Sequence, residues 1–216
     1  MKYPQLLIFD CDGVLVDSES LSSQVIAEEI TKLGIPMLTE ESQNMFKGGA
    51  LSSVIEYVEK KLGKPIPYDF ETVFRKRSFE LFESSLEPIP GIVKALEELP
   101  HSKCVASNGP LKKMKFNLKL TKLMPYFDDN LFSAYDVNRW KPDPLLFLHA
   151  AKKMEVTAER CLVIEDSIHG VEAAVKAGMK VLGFALHSEG SELSAAGATV
   201  FKDMNELPKL IHSMAD

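Results

Sequence analysis

Two hydrophobic periodicities alternate along the chain. Leu6-Leu7-Ile8, Cys104-Val105-Ala106, Leu131-Phe132-Ser133, Leu162-Val163-Ile164, residues 181–184 and Thr199-Val200-Phe201 are short, near-continuous apolar runs. Such runs are too short for helices and read as strands buried in a parallel sheet. Helical spacing fills the intervals. It predicts helices over residues 92–99, 112–123, 145–154, from Ser167 to Ala177 with Gly178 beyond its end, and over 204–214. Asp143 before Pro144 reads as an N-cap followed by a first-turn proline.

One interval differs from the rest. From Ser18 to Glu87 the pattern is helical throughout, with no strand. Leu21, Val25, Ile26, Ile30 and Leu33 mark a first helix stopped by Gly34. Thr39 caps a second that ends near Lys47-Gly48-Gly49; Leu51, Val54, Ile55 and Val58 mark a third, ended by Gly63 and Pro65; Phe70, Val73, Phe74, Phe79, Leu81 and Phe82 mark a fourth. Pro88-Ile89-Pro90-Gly91 then returns the chain to strand–helix alternation. The expected architecture is α/β: a doubly wound parallel sheet from residues 1–16 and 89–216, with residues 17–88 inserted as an α-helical domain.

Composition narrows the function classes. Over 216 residues, 45% are apolar and 26% charged, which suits a globular protein with a sizeable core. The net charge of −6 argues against nucleic acid as a partner and fits a soluble monomer. No stretch reads as a membrane span or secretory signal, and three cysteines without close pairing suggest reduced, buried thiols in the cytoplasm. The five histidines are scattered without metal-ligand spacing, and the lysines at 112, 113, 115, 119 and 122 read as an exposed helix face. Arg75-Lys76-Arg77 reads likewise as a solvated face.

The candidate chemistry sits where strands end. The first strand runs into Asp10 and Asp12, the second into Ser107 and Asn108, and the fourth into Glu165 and Asp166; Lys141 lies in the loop after the third. A parallel sheet brings these ends to one edge, where ligands of open α/β folds bind. Four acids, a hydroxyl with neighbouring backbone amides and an ammonium point to a divalent cation, Mg²⁺ by donor type, beside an anion site.

In order and placement, Asp10-Cys11-Asp12-Gly13-Val14-Leu15-Val16-Asp17-Ser18, Ser107-Asn108, Lys141-Pro142 and Glu165-Asp166-Ser167 resemble the four signature motifs of the haloacid dehalogenase superfamily. The resemblance covers the whole chain, including a helical cap after the first motif. It is closest to the branch of β-phosphoglucomutases, phosphoglycolate phosphatases and small sugar phosphatases. Within that branch, Phe46-Lys47-Gly48, Ser107-Asn108-Gly109-Pro110 and Arg139-Trp140-Lys141-Pro142-Asp143-Pro144 look most like bacterial 6-phosphogluconate phosphatases.

The resemblance implies a small phosphorylated metabolite as substrate, with Asp10 as nucleophile and Asp12 as general acid and then base. Ser107, Asn108 and Lys141 would hold the phosphoryl group. Asp10, the carbonyl of Asp12 and Asp166 would ligate Mg²⁺, with Glu165 helping directly or through water. Lys47 and Gly48 of the cap would meet the substrate, and the cap would hinge at residues 16–18 and 87–91. Two rivals stand beside this reading. A sugar-phosphate mutase is weakened by Ser22 and Leu51, where the mutase pattern has histidine and arginine; a receiver-like signalling module has no need of the helical insert.

Overall fold

The computed structural model describes residues 4–46, 51–186 and 188–214. Its six strands are β1 (Leu6–Phe9), β2 (Ser102–Ser107), β3 (Leu131–Ser133), β4 (Cys161–Glu165), β5 (Lys180–Phe184) and β6 (Thr199–Phe201). They form one sheet in the order β3-β2-β1-β4-β5-β6, parallel at every pairing. All four residues of β1 and all five of β4 are buried, as strands covered on both faces must be.

Four helices lie between β1 and β2: α1 (Ser18–Lys32), α2 (Thr39–Phe46), α3 (Leu51–Leu62) and α4 (Phe70–Ser85). The remaining helices are α5 (Ile92–Glu98), α6 (Leu111–Leu120), α7 (Ala134–Val137), α8 (Leu145–Lys153), α9 (Ile168–Lys176), α10 (Ser191–Ala195) and α11 (Leu207–Ser213). The chain divides into two compact units, residues 1–16 with 88–216, and residues 17–87. In the first, Leu6, Ile8, Cys104, Ala106, Cys161 and Val163 pack with Leu146, Phe147 and Ala150 of α8 and Val171 and Ala174 of α9. In the second, Ile26, Ile30, Val54, Val58 and Phe70 form a separate core. The two segments joining the units run side by side: Val16 bridges Pro88, and Ile89 N donates to Leu15 O at 3.0 Å.

Several local expectations are corrected. Thr39 is the first residue of α2 rather than its cap; Glu41 Oε2 instead accepts from Leu38 N at 2.8 Å. Pro144 takes the cap position of α8 and brings no side-chain hydrogen bond, while Asp143 Oδ1, one residue earlier, accepts from Leu145 N at 2.9 Å and so still satisfies an N–H of the first turn. The last helix is interrupted: a 3₁₀ turn over Met204–Glu206 precedes α11, whose second residue is Pro208. The short α7 and α10 carry too few turns to show a periodicity; α7 forms on a capping box in which Ser133 and Asp136 satisfy each other's backbone N–H groups. Arg77 does not belong to a solvated face, since it ion-pairs with Glu28 and with Glu29 of α1. Among the described residues no helix is long and apolar enough to cross a membrane.

Candidate active site

The geometry begins with register. Phe9 stands opposite Val105 and Ile164, so the residue after β1 emerges level with the ends of β2 and β4. Asp10 N donates to Ile164 O at 3.0 Å, which ties the start of the loop to β4. The chain then coils tightly: Leu15 and Val16 both donate to Cys11 O, and Gly13 N donates to Val16 O at 2.9 Å. This coil requires φ = +82° at Gly13, and a β-carbon there would overlap the carboxylate of Asp166. A glycine therefore lets the β1 loop and the β4 loop touch.

Lys141 is the centre of the constellation. Its Nζ donates to Asp10 Oδ1 at 2.5 Å and to Glu165 Oε1 at 2.7 Å, and lies 4.8 Å from the centre of the Phe147 ring. Only 5% of Lys141, 7% of Asp10 and 1% of Glu165 is exposed, so these charges interact with little screening by water. Burial disfavours the ammonium, but the two carboxylates outweigh it and hold the Lys141 pKa above its usual value. Burial pushes the Asp10 carboxyl up to about 7; Lys141 pulls it down and Glu165 raises it.

Glu165 is held in place from its other side. Its Oε2 accepts from Ser167 N at 2.7 Å and Ser167 Oγ at 2.9 Å, and Ser167 Oγ in turn caps α9 by accepting from Gly170 N. Both oxygens of Glu165 are thus engaged, one steering Lys141 and the other fixed by the turn. Asn108 makes a similar tie: its Oδ1 accepts from Lys141 N at 2.9 Å, joining the loops after β2 and β3. Ser107 is buried beside it, with Oγ accepting from Gly109 N at 3.1 Å.

Asp12 was expected to stand among acids. It also meets a cation: Lys113 Nζ donates to its Oδ2 at 2.9 Å, and Asn117 Nδ2 donates to its Oδ1 at 3.3 Å. Lys113 therefore leaves the supposed exposed lysine face of α6, although Lys112 and Lys119 do lie on it. Burial opposes the Lys113 charge, and Asp12 outweighs it, raising the pKa. A buried asparagine in a helix interior, four residues after a lysine, was the available signal, because asparagine is a poor helix former that favours specific partners.

The structure therefore brings Asp10, Asp12, Ser107, Asn108, Lys141, Glu165 and Asp166 to one sheet edge. Lys47 and Gly48 lie outside the described residues. Among those described, no three His, Cys, Asp or Glu side chains form a ready-made metal cage. A small hard cation does not need one, because Mg²⁺ is commonly held by one or two carboxylates together with water and phosphate oxygens. The Asp166 carboxylate, packed on Gly13 of the loop that also carries Asp10 and Asp12, suits that requirement. Cys11 contributes no nucleophile: burial first, then the charges of Asp12 and Asp10, push its thiol well above the usual range.

Comparison with known proteins agrees with this arrangement. The family described as haloacid dehalogenase-like hydrolase matches residues 7–184. The chain is 37% identical over 211 residues to the 6-phosphogluconate phosphatase of Escherichia coli strain K12, covering 97% of this chain and 96% of that one. A conserved haloacid dehalogenase-like protein of unknown function from Agrobacterium tumefaciens strain C58 superposes with a TM-score of 0.90 at 35% identity, over 99% of this chain and all of that one. A family hydrolase from Deinococcus radiodurans R1, solved with bound phosphate and sodium, superposes with a TM-score of 0.88 at 26% identity, over 99% and 97% of the two chains. With its motifs placed at the strand ends of the same fold, the chain belongs to the haloacid dehalogenase-like hydrolase family and is one of its phosphatases.

Proposed function

We propose that this phosphatase is Mg²⁺-dependent, acts in the cytoplasm on a small sugar or sugar-acid phosphate, with 6-phosphogluconate as the first candidate, and works through an aspartyl-phosphate. The observation that carries the reading is the pairing of two carboxylates with two different lysines: Asp10 with Lys141, and Asp12 with Lys113. Two acids with separate supports can take separate roles.

Asp10 Oδ1 is held by Lys141, which leaves Oδ2 to attack phosphorus. The P–O bond to the sugar breaks as the Asp10–phosphorus bond forms, and Asp12 gives its proton to the leaving oxygen. Water then attacks the acyl phosphate, Asp12 takes its proton, and Asp10 is regenerated as phosphate departs. Lys141 offsets the repulsion between a carboxylate and a phosphate dianion. The Ser107 hydroxyl and the backbone amides of the turns after β1 and β2 orient the phosphoryl oxygens. Asp10, the Asp12 carbonyl and Asp166 would hold Mg²⁺, whose charge would further neutralise the phosphoryl group. Glu165 supports the site by steering Lys141, with any contribution to the metal secondary to that. Residues 17–87 act as the cap, with Lys47 and Gly48 contributing to substrate choice. Likeness to the E. coli 6-phosphogluconate phosphatase makes 6-phosphogluconate the candidate substrate. The three buried free cysteines fit a reducing compartment.

The test is phosphate release from a panel of sugar phosphates, sugar-acid phosphates and short phosphorylated acids, with Mg²⁺, beside Asp10→Asn. Turnover of a few compounds, lost in the variant and on chelation, is expected. A folded protein that releases no phosphate from any of them, or an Asp10→Asn variant that retains wild-type turnover, would overturn the reading.

A further inference from the structure

We infer that Lys113 and Asn117 are positioning residues for Asp12, together setting the carboxylate that exchanges a proton with the leaving group. The inference rests on the role proposed above for Asp12 and adds two residues from α6 that lie outside the signature motifs.

Lys113 and Asn117 are four residues apart and so share one face of α6, aimed at the loop after β1. Each takes a different oxygen of Asp12, Lys113 at 2.9 Å and Asn117 at 3.3 Å. Two donors on two oxygens fix the plane of a carboxylate as well as its position. Asn117 is the more telling of the pair. It is fully buried, its Nδ2 goes to Asp12, and its Oδ1 has no partner among the described residues. A buried amide with one end unsatisfied lowers stability relative to an apolar side chain of similar size. Packing alone therefore gives no reason for an asparagine here, whereas holding a carboxylate does. Ser107, proposed above to orient the phosphoryl group, lies nearby: a β-carbon on Gly109 would lie 3.5 Å from Ser107 Oγ, 3.8 Å from Lys113 Cδ and 3.9 Å from Asp12 Oδ2.

Asp12 must serve twice at one place, first beside the leaving oxygen and then beside the attacking water. A carboxylate free to rotate would be aligned for only part of the time. Loss of the clamp should therefore slow hydrolysis of the shared phospho-enzyme for every ester, and should lower kcat/KM, which reports the first transfer, chiefly for esters whose leaving oxygen needs a proton. A 4-nitrophenolate leaves without one.

The experiment compares wild type, Asp12→Asn, Lys113→Met, Lys113→Arg and Asn117→Leu on two probes: a sugar phosphate that the wild type hydrolyses, and 4-nitrophenyl phosphate. Thermal unfolding is followed in parallel. Lys113→Met and Asn117→Leu should each lose at least about 10-fold in kcat/KM on the sugar phosphate, a part of the roughly 100-fold or more that a general acid commonly supplies. Their kcat/KM should fall much less on the aryl ester, and Lys113→Arg should recover part of the loss. Asn117→Leu should unfold no earlier than wild type. If Asp12→Asn falls on the sugar phosphate while both α6 variants match wild type, the positioning role is wrong and the role of Asp12 stands. Equal losses of kcat/KM on both esters would also overturn the positioning role. If Asp12→Asn itself keeps wild-type turnover of the sugar phosphate, the underlying reading fails and this inference with it.

Discussion

Gly170 closes directly onto the carboxylate of Glu165: a β-carbon at that position would overlap the acid. Gly170 lies in the first turn of α9, so the helix itself is the wall against which Glu165 is set. Because Glu165 also holds Lys141 at 2.7 Å, the alignment of the lysine with Asp10 is traceable to a helix residue with no side chain.

Gly170→Ala sets two effects against each other. In a helix, alanine is favoured over glycine by about 1 kcal/mol. Overlap with a buried carboxylate opposes that gain by about 1–3 kcal/mol, and the displaced Glu165 no longer directs Lys141. The expected outcome is a net loss of stability with a fall in kcat of at least about 10-fold, read by thermal unfolding and steady-state turnover. A more stable, fully active variant would show that the loop simply yields.

Lys141→Met should be more damaging. It leaves the buried carboxylates of Asp10 and Glu165 facing each other without their shared cation. Removing one member of a buried ion pair costs about 3–5 kcal/mol. Denaturant unfolding at neutral pH should show a loss of that order, with turnover abolished. A variant as stable as wild type would mean that the two acids relax apart.

Asp166→Asn probes the proposed metal donor. It preserves the shape of the side chain over Gly13 while removing charge. The Mg²⁺ concentration for half-maximal turnover should rise at least about 10-fold, while the fold is kept. An unchanged Mg²⁺ titration would place the cation elsewhere.

The helical unit gives a pH prediction. Glu29 is buried in α1, and burial by itself would raise its pKa. Lys32 at 2.8 Å, Arg77 at 2.5 Å and Tyr68 at 3.1 Å outweigh burial and lower it below the ordinary glutamate value of 4.5. Between the lowered value and 4.5 the unfolded chain binds more protons than the folded one, so stability rises with pH in that window. The contribution is complete above the unfolded value and is lost as pH falls through the folded one. Arg77→Met should cost about 2 kcal/mol at neutral pH and flatten the acid limb of the stability curve. Unfolding curves at pH 7 and on the acid side of 4.5 test this, and an unaltered acid limb would assign that limb to other carboxylates.

The readability of this chain follows from how local each feature is. Six apolar runs and their alternation with helices were visible because burial on both faces demands unbroken apolar strands, and a parallel crossover demands a helix. Asp10, Asp12, Ser107, Glu165 and Asp166 were visible because each sits at or just past a strand end, where parallel pairing makes sequence position equivalent to position in space. Lys113 and Asn117 were hidden in an apparently ordinary lysine-rich helix, since nothing along α6 shows which of its faces meets a loop about 100 residues earlier. The partners of Glu165 and Asn108 were hidden for the same reason. Sequence shows that they are polar groups at the right edge, but only packing decides that their oxygens are used on Lys141. Local pattern thus determined the elements and which ends would meet. The tertiary structure decided which charge answers which, because partner choice depends on ångström distances between segments far apart in the chain.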